Sequence, residues 1–357
     1  MKVVEIDGSM GEGGGQILRY SLSLSALTLR PVKVYNIRAK RSNPGLRPQH
    51  LTAVRALASV TDAYVEGGKV GSTEIYFEPR RRRGGSYSFN IGTAGSISLV
   101  IQAIMPALLF SDKHSRVEII GGTDVSWSPP IDYMRHVFFY NLSLLGVNAK
   151  LKVYRRGHYP RGGGKVLIEI SPVAEPLKPV HAVLRGKIVR IRGISHAVRL
   201  PRHVAQRQAS SAAEYIKKEI GIEPEIEIEA YEGRRDPHLG PGSGILVYAE
   251  VERGTRIGAD SLGAKGKPAE TVGREAGEKL VEELRSNMAF DRHMGDMLIP
   301  YLFLASGESI VGVSSLTMHT ITAIEVAKKF LPEAYVRIQG STGEPAKISV
   351  AGVGFSP

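Results

Sequence analysis

Apolar positions along the chain follow two periods. Val3-Val4-Glu5-Ile6 reads as a strand, and apolar residues at 17, 18, 22, 24, 26, 27 and 29 read as a helix over 17–29. A rhythm of helix, strand, turn and strand then recurs over residues 51–77, 131–170 and 319–350. The predicted helices are 52–60, 133–145 and 320–330. Their strand pairs are 63–66 with 74–77, 149–154 with 165–170, and 333–338 with 347–350. A helix-plus-strand pair precedes each, at 17–37, 96–120 and 296–313. The pattern predicts a β-α-β-α-β-β unit used three times, layered around a shared core.

Residues 183–284 break this rhythm. They read as a strand at 187–192, a helix ending at 219 with Pro201 near its start, strands at 225–231 and 245–252, a Gly/Lys loop at 258–268 and a helix at 269–285. Glutamates 225, 227 and 229 alternate with apolar residues, as on a half-exposed strand. Pro172, Pro176 and Pro179 mark the entrance to this block. The expected fold class is α/β (α+β): a large discontinuous domain, 1–182 and 285–357, with a smaller inserted α/β domain at 183–284.

Composition sets outer limits. The chain has 357 residues, 42% apolar and 23% charged, an ordinary soluble globular make-up. No apolar run reaches the ~20 residues of a membrane span. The longest, 97–110, is interrupted by Gln102 and Pro106. No signal-peptide pattern opens the chain, and cysteine is absent, which excludes disulfides and thiolate chemistry and fits a cytoplasmic protein. The net charge of +12 suits either a basic solvated surface or a polyanion partner such as nucleic acid. Aromatic residues make only 7% and no RRM, KH or zinc-finger signature is present, so nucleic-acid binding would rest on charge more than on base stacking.

Candidate chemistry begins at residues 7–19. A strand, the turn Gly11-Glu12-Gly13-Gly14-Gly15 and a helix N-terminus make a natural anion site. Glu12 would repel phosphate directly, so it suits a divalent metal that bridges to phosphate. The spacing is neither a P-loop nor a dinucleotide fingerprint. A second polar cluster spans 38–50, where Arg38, Arg41 and Arg47 can bind phosphate bidentately and Gln49 and His50 sit at a helix start. Arg80 to Arg83 read as a solvated turn. The glycine-rich turns 121–124 and 159–165 suit either a tight connection or a site loop. His319 opens a helix, where the dipole disfavours the imidazolium and keeps the ring neutral and nucleophilic. His293 and Asp296 lie three apart and share a helix face, with Asp291 close by.

Together these segments resemble the RNA 3′-terminal phosphate cyclase family. The resemblance rests on Gly11-Glu12-Gly13-Gly14-Gly15-Gln16-Ile17-Leu18-Arg19, Pro44-Gly45-Leu46, Gln49-His50-Leu51-Thr52, Gly92-Thr93-Ala94-Gly95-Ser96, Gly121-Gly122-Thr123-Asp124 with Pro129-Pro130, Tyr159-Pro160-Arg161-Gly162-Gly163-Gly164, Pro201-Arg202-His203 and His319-Thr320-Ile321-Thr322. It implies a large domain of three repeated units with an inserted small domain. It also implies attack of His319 Nε2 on the α-phosphate of ATP, transfer of AMP to an RNA 3′-phosphate, and closure to a 2′,3′-cyclic phosphate. By the same resemblance Glu12 would hold Mg²⁺ or Mn²⁺. Arg19, Arg38, Arg41, Gln49 and His50 would serve metal-nucleotide or RNA-phosphate contacts, and Gln102, His293 and Asp296 would surround AMP. Where many relatives read Asp-Gln, this chain has Asp296-Met297. Two other readings stand beside this one. A non-catalytic cyclase-like protein in RNA binding or ribosome assembly would lack the nucleophilic His, and an enolpyruvyl transferase shares the repeated-unit architecture.

Overall fold

The structure is a computed structural model that describes residues 2–231, 233 and 236–356. The first unit runs β1 (Val4–Asp7), α1 (Gly15–Thr28), β2 (Val32–Tyr35), α2 (Pro48–Thr61), β3 (Tyr64–Glu66) and β4 (Ile75–Glu78). The second runs β5 (Ser86–Asn90), α3 (Ile97–Leu109), β6 (Ser115–Gly121), then α4 (Ile131–Tyr133), a π-helical stretch (Met134–Phe138) and α5 (Phe139–Ser143), ending with β7 (Ala149–Arg155) and β8 (Gly164–Ile170). Strand β9 (His181–Ala182) follows. Next come β10 (Ile188–Val198), α6 (Arg202–Ile220), β11 (Glu225–Ala230), β12 (Gly242–Val251), β13 (Arg256–Leu262) and α7 (Ala269–Arg285). The chain closes with α8 (Arg292–Leu304), β14 (Ser306–Val313), α9 (Met318–Phe330), β15 (Tyr335–Gln339) and β16 (Ala346–Val353).

Three sheets share one topology. Their orders are β1-β2-β4-β3, β5-β6-β8-β7 and β9-β14-β16-β15. In each, the first pair is parallel and the other two are antiparallel. Strand β9 therefore supplies the first strand of the third sheet, ahead of the whole β10–α7 block. Helices α1, α3 and α8 carry mostly apolar faces, and the core gathers between the three layers: α1 packs on α3 and α9, and α8 on α9. The fourth sheet, β11-β10-β12-β13, holds a separate apolar cluster with α6 and α7 that includes Ile191, Ile216, Val247 and Leu280. Among the described residues no helix is long and apolar enough to cross a membrane.

Two sequence expectations are corrected. The stretch 258–268 is not all loop, because 256–262 forms β13 against β12. Gly258 sits where a Cβ would lie 2.7 Å from Val137 Cγ2, so the glycine serves close packing under the π-helical stretch rather than a turn. The four-arginine segment is not a free tip. Arg82 is half-buried and donates to the carbonyls of Leu27 and Phe110, while Arg81 pairs with Asp62 at 2.8 Å.

Candidate active site

Two helix N-termini converge. Thr317 Oγ1 caps α9 by accepting from Thr320 N at 3.1 Å, and His319 stands in the first turn, exposed. Gly14 precedes α1 without any side-chain cap, which leaves the first α1 amides open for an anion. Gly11 and Gly13, at φ +49° and +61°, bend the turn that brings Glu12 toward His319. Glu12 Oε2 lies 3.4 Å from His319 Nε2.

Gln16, on the first turn of α1, fixes the state of that ring. Its Nε2 donates to the His319 carbonyl at 3.0 Å and to Asp296 Oδ2 at 3.1 Å. A carbonyl can only accept, so the amide cannot turn round. Its Oε1 then faces His319 Nδ1 at 2.7 Å, and Nδ1 must carry the proton. In the neutral ring Nε2 is then the nitrogen that carries the lone pair, and it points at Glu12. Two acceptors this close need a cation or a proton between them, and a hard carboxylate donor suits Mg²⁺ or Mn²⁺. Tyr20 OH steadies Asp296 by bonding Oδ2 and the backbone carbonyl, each at 3.0 Å. Burial raises the Asp296 carboxyl, while His319, His293 and Arg19 act against that rise.

The basic loop closes over the glycine-rich turn. Lys40 Nζ donates to Gly11 O at 2.8 Å, and Arg41 Nη2 lies 3.1 Å from where a Gly14 Cβ would be. Arg38 spends Nη1 on the carbonyls of Asn43 and Gly45, which shapes the loop. Its pKa is lowered by burial and by Arg47 and Arg41, a like-charge grouping that an anion would relieve. His50 Nδ1 accepts from Arg47 N at 3.1 Å, so Nε2 carries the hydrogen and faces Gly15 as a neutral donor. Burial, with Arg38, Arg19 and Arg47, pushes His50 down to about 3. Gln49 Oε1 accepts from Ser96 N, which frees its NH₂ to donate outward. Arg19 Nε is buried with no partner among the described residues.

The model of the RNA 3′-terminal phosphate cyclase family matches residues 10–336. The chain belongs to the RNA 3′-terminal phosphate cyclase family. It is 68% identical to the RNA 3′-terminal phosphate cyclase of Staphylothermus marinus and 61% identical to that of Desulfurococcus amylolyticus, covering all of each chain in both cases. Among solved structures, an EPSP synthase from Acinetobacter baumannii matches 94% of this chain and 62% of its own at 10% identity. Its TM-score of 0.29 carries no weight for fold or function.

Two further sequence candidates lie on α8 and α3. His293, exposed on α8, packs edge-on against Tyr133 at 6.3 Å. Gln102 is buried on α3 beside Met134, and its Oε1 has no partner among the described residues; it makes no hydrogen bond to His319. Asp291 is a structural cap whose oxygens accept from His293 N, Met294 N, Tyr133 OH and Gly258 N. Met297 is buried in the apolar core. Sequence reasoning passed over Gln16 and Tyr20 as individual residues. Their signal was two hydrogen-bonding groups one helical turn apart, on one face of α1.

The low His50 pKa predicts a pH effect on stability. Between about pH 6.5 and 3 the unfolded ring binds a proton that the folded ring refuses, so its contribution is full above 6.5 and lost as pH falls. A His50→Gln chain should therefore lose less stability than wild type from pH 7 to 5, by up to about 2 kcal/mol. Denaturant unfolding at the two pH values measures the difference.

Proposed function

We propose that the protein converts RNA 3′-phosphate ends into 2′,3′-cyclic phosphates at the expense of ATP. The observation that carries this reading is the Asp296–Gln16–His319 chain, which makes Nε2 the lone-pair nitrogen of the neutral ring, beside Glu12 and two open phosphate-facing elements. His319 Nε2 attacks the α-phosphorus, an N–P bond forms, and pyrophosphate leaves. An oxygen of the RNA 3′-phosphate then attacks the same phosphorus and the N–P bond breaks, which joins AMP to the RNA end. The vicinal 2′-OH attacks the activated 3′-phosphate, loses its proton, and AMP departs. Gln16 Oε1 accepts the Nδ1–H throughout and stabilises the positive charge that develops on the ring during attack.

Glu12 would hold Mg²⁺ or Mn²⁺, which supplies charge neutralisation for the triphosphate. Arg19, Arg38, Arg41, Gln49 and His50 bind phosphate, with His50 donating as a neutral ring. Gln102 offers its unpartnered oxygen to the nucleobase amine, and His293 and Asp296 complete the nucleotide pocket. We read 183–284 as an inserted domain set into the third unit.

The test is incubation with ATP, either metal and a 3′-phosphorylated RNA. A phosphatase-resistant RNA end formed with one AMP released per end supports the reading, and an unchanged 3′-phosphate overturns it. Gln16→Leu, which frees the ring to adopt the wrong tautomer, should slow self-adenylation by between about a hundredfold and ten-thousandfold. Gln16→Glu keeps an acceptor at Nδ1 and should retain more activity. Equal rates for Leu and Glu would remove the tautomer argument.

A further inference from the structure

Two loops beside the second sheet carry large aromatic rings into solvent. Residues 123–124 and 157–158 run side by side in parallel, with Thr123 N donating to Gly157 O at 2.8 Å and Asp124 bridged to His158. Both chains therefore leave in the same direction, into loops 125–128 and 159–162. Trp127, the single tryptophan of the chain, is 99% exposed on the first, and Tyr159 is 80% exposed on the second. Trp127 also holds φ at +66°, a costly conformation for a bulky side chain that persists only where its surroundings enforce it. Ser128 Oγ fastens this turn by donating to Val125 O at 3.0 Å.

These loops connect physically to the phosphate cluster. A Cβ at Gly162 would lie 2.8 Å from Thr93 O, and one at Gly122 would meet Ala94 O at 2.3 Å and Val125 Cγ1 at 2.7 Å, so the 159–162 loop and Gly122, which leads into the 125–128 loop, both pack on residues 93–94. Gly95 in turn abuts Gln49, which holds Ser96 N. A chain of contacts thus links Gln49 through residues 93–96 to Gly122 and Gly162, next to the loops that carry Trp127 and Tyr159. Segments 38–50, 92–96, 125–130 and 157–164 contain no Asp or Glu, but they carry Arg38, Lys40, Arg41, Arg47 and Arg161.

We propose that Trp127 and Tyr159 form a stacking surface for the unpaired bases that precede the RNA 3′-phosphate, with Arg161 on the intervening backbone phosphates. This rests on the reading of Gln49 and His50 as holders of the terminal phosphate. Every base offers a π-face, so such a surface tolerates any sequence but requires bases free of a duplex. It adds a stacking component to a binding mode that composition alone assigned to charge.

The sole tryptophan makes the test direct. The emission of Trp127 is titrated with a 3′-phosphorylated single-stranded oligonucleotide and with a blunt duplex of the same sequence. Cyclisation of the oligonucleotide and of a 3′-phosphorylated dinucleotide is then compared in wild type, Trp127→Ala and Trp127→Phe. The single strand should quench the emission and the duplex should not. Trp127→Ala should raise KM for the oligonucleotide by about tenfold, with the dinucleotide KM, kcat and self-adenylation unchanged, and Trp127→Phe should restore most of the loss. Emission indifferent to single-stranded RNA, as for a surface reserved for another protein, overturns the proposal. So does an equal effect of Trp127→Ala on both substrates. Quenching without cyclisation keeps the stacking surface and overturns the cyclase reading instead.

Discussion

A His319→Ala chain should take up no label from ATP radiolabelled at the α-phosphate, whereas wild type should become covalently labelled. Loss of the nucleophile removes the covalent route altogether, and removal of such a group elsewhere has cost roughly a millionfold in rate. The wild-type label should be acid-labile and base-stable, as expected of a phosphorus–nitrogen bond. His319→Asn sharpens the measurement, because it keeps a polar partner for Gln16 without a nucleophilic nitrogen. Both variants should fold as wild type, since the ring is exposed and lies outside the apolar core. Label retained by either variant, read on a denaturing gel, would move the covalent step to another residue and sink the mechanism.

Arg156→Met should destabilise the fold by about 3–5 kcal/mol, the cost of stranding buried charge. Arg156 is 2% exposed and contacts Asp124 at 3.3 Å, Asp132 at 2.7 Å and Glu229 at 2.6 Å. Burial opposes its charge, yet the three carboxylates hold it ionised well above the usual range. Arg156 in turn holds Glu229 down at about 2 against the effect of burial, while burial raises Asp132. The guanidinium therefore ties the second unit to β11. Thermal unfolding should show a lower midpoint, by on the order of 10 °C. Adding Asp124→Asn and Asp132→Asn to Arg156→Met should recover part of the loss, because neutral partners no longer need the cation. A triple variant no better than Arg156→Met would point to lost packing instead of lost charge.

The parts of this molecule legible in the sequence are those written locally. The repeat shows in the alternation of helical and strand periods, and the glycine-rich turn and His319 show as residue types at element boundaries. Relations across the chain do not show. Nothing around Gln16 announces that it sets the tautomer of a ring on another helix, and nothing around Arg156 distinguishes it from its half-exposed neighbour Arg155. The missed strand β13 has its own cause: Ile257 and Ala259 are the only apolar residues on its core face before Ser261 ends the alternation, and Gly258 on the other face packs under the π-helical stretch. Arg82 looked like one of four solvated cations, and only the carbonyls waiting at Leu27 and Phe110 make it structural.

The distance along the chain between Gln16 and His319, 303 residues, has a bearing on synthesis. At ribosomal rates of 5–20 residues per second, His319 emerges roughly 15–60 s after its partner. The first two sheets can close in that interval, while β9 waits for β14 and the third sheet stays open. No incomplete nascent chain that ends before α9 can carry His319. On the proposed mechanism, modification by ATP therefore has to wait for α9, when the glycine-rich turn and the basic loop have already been made.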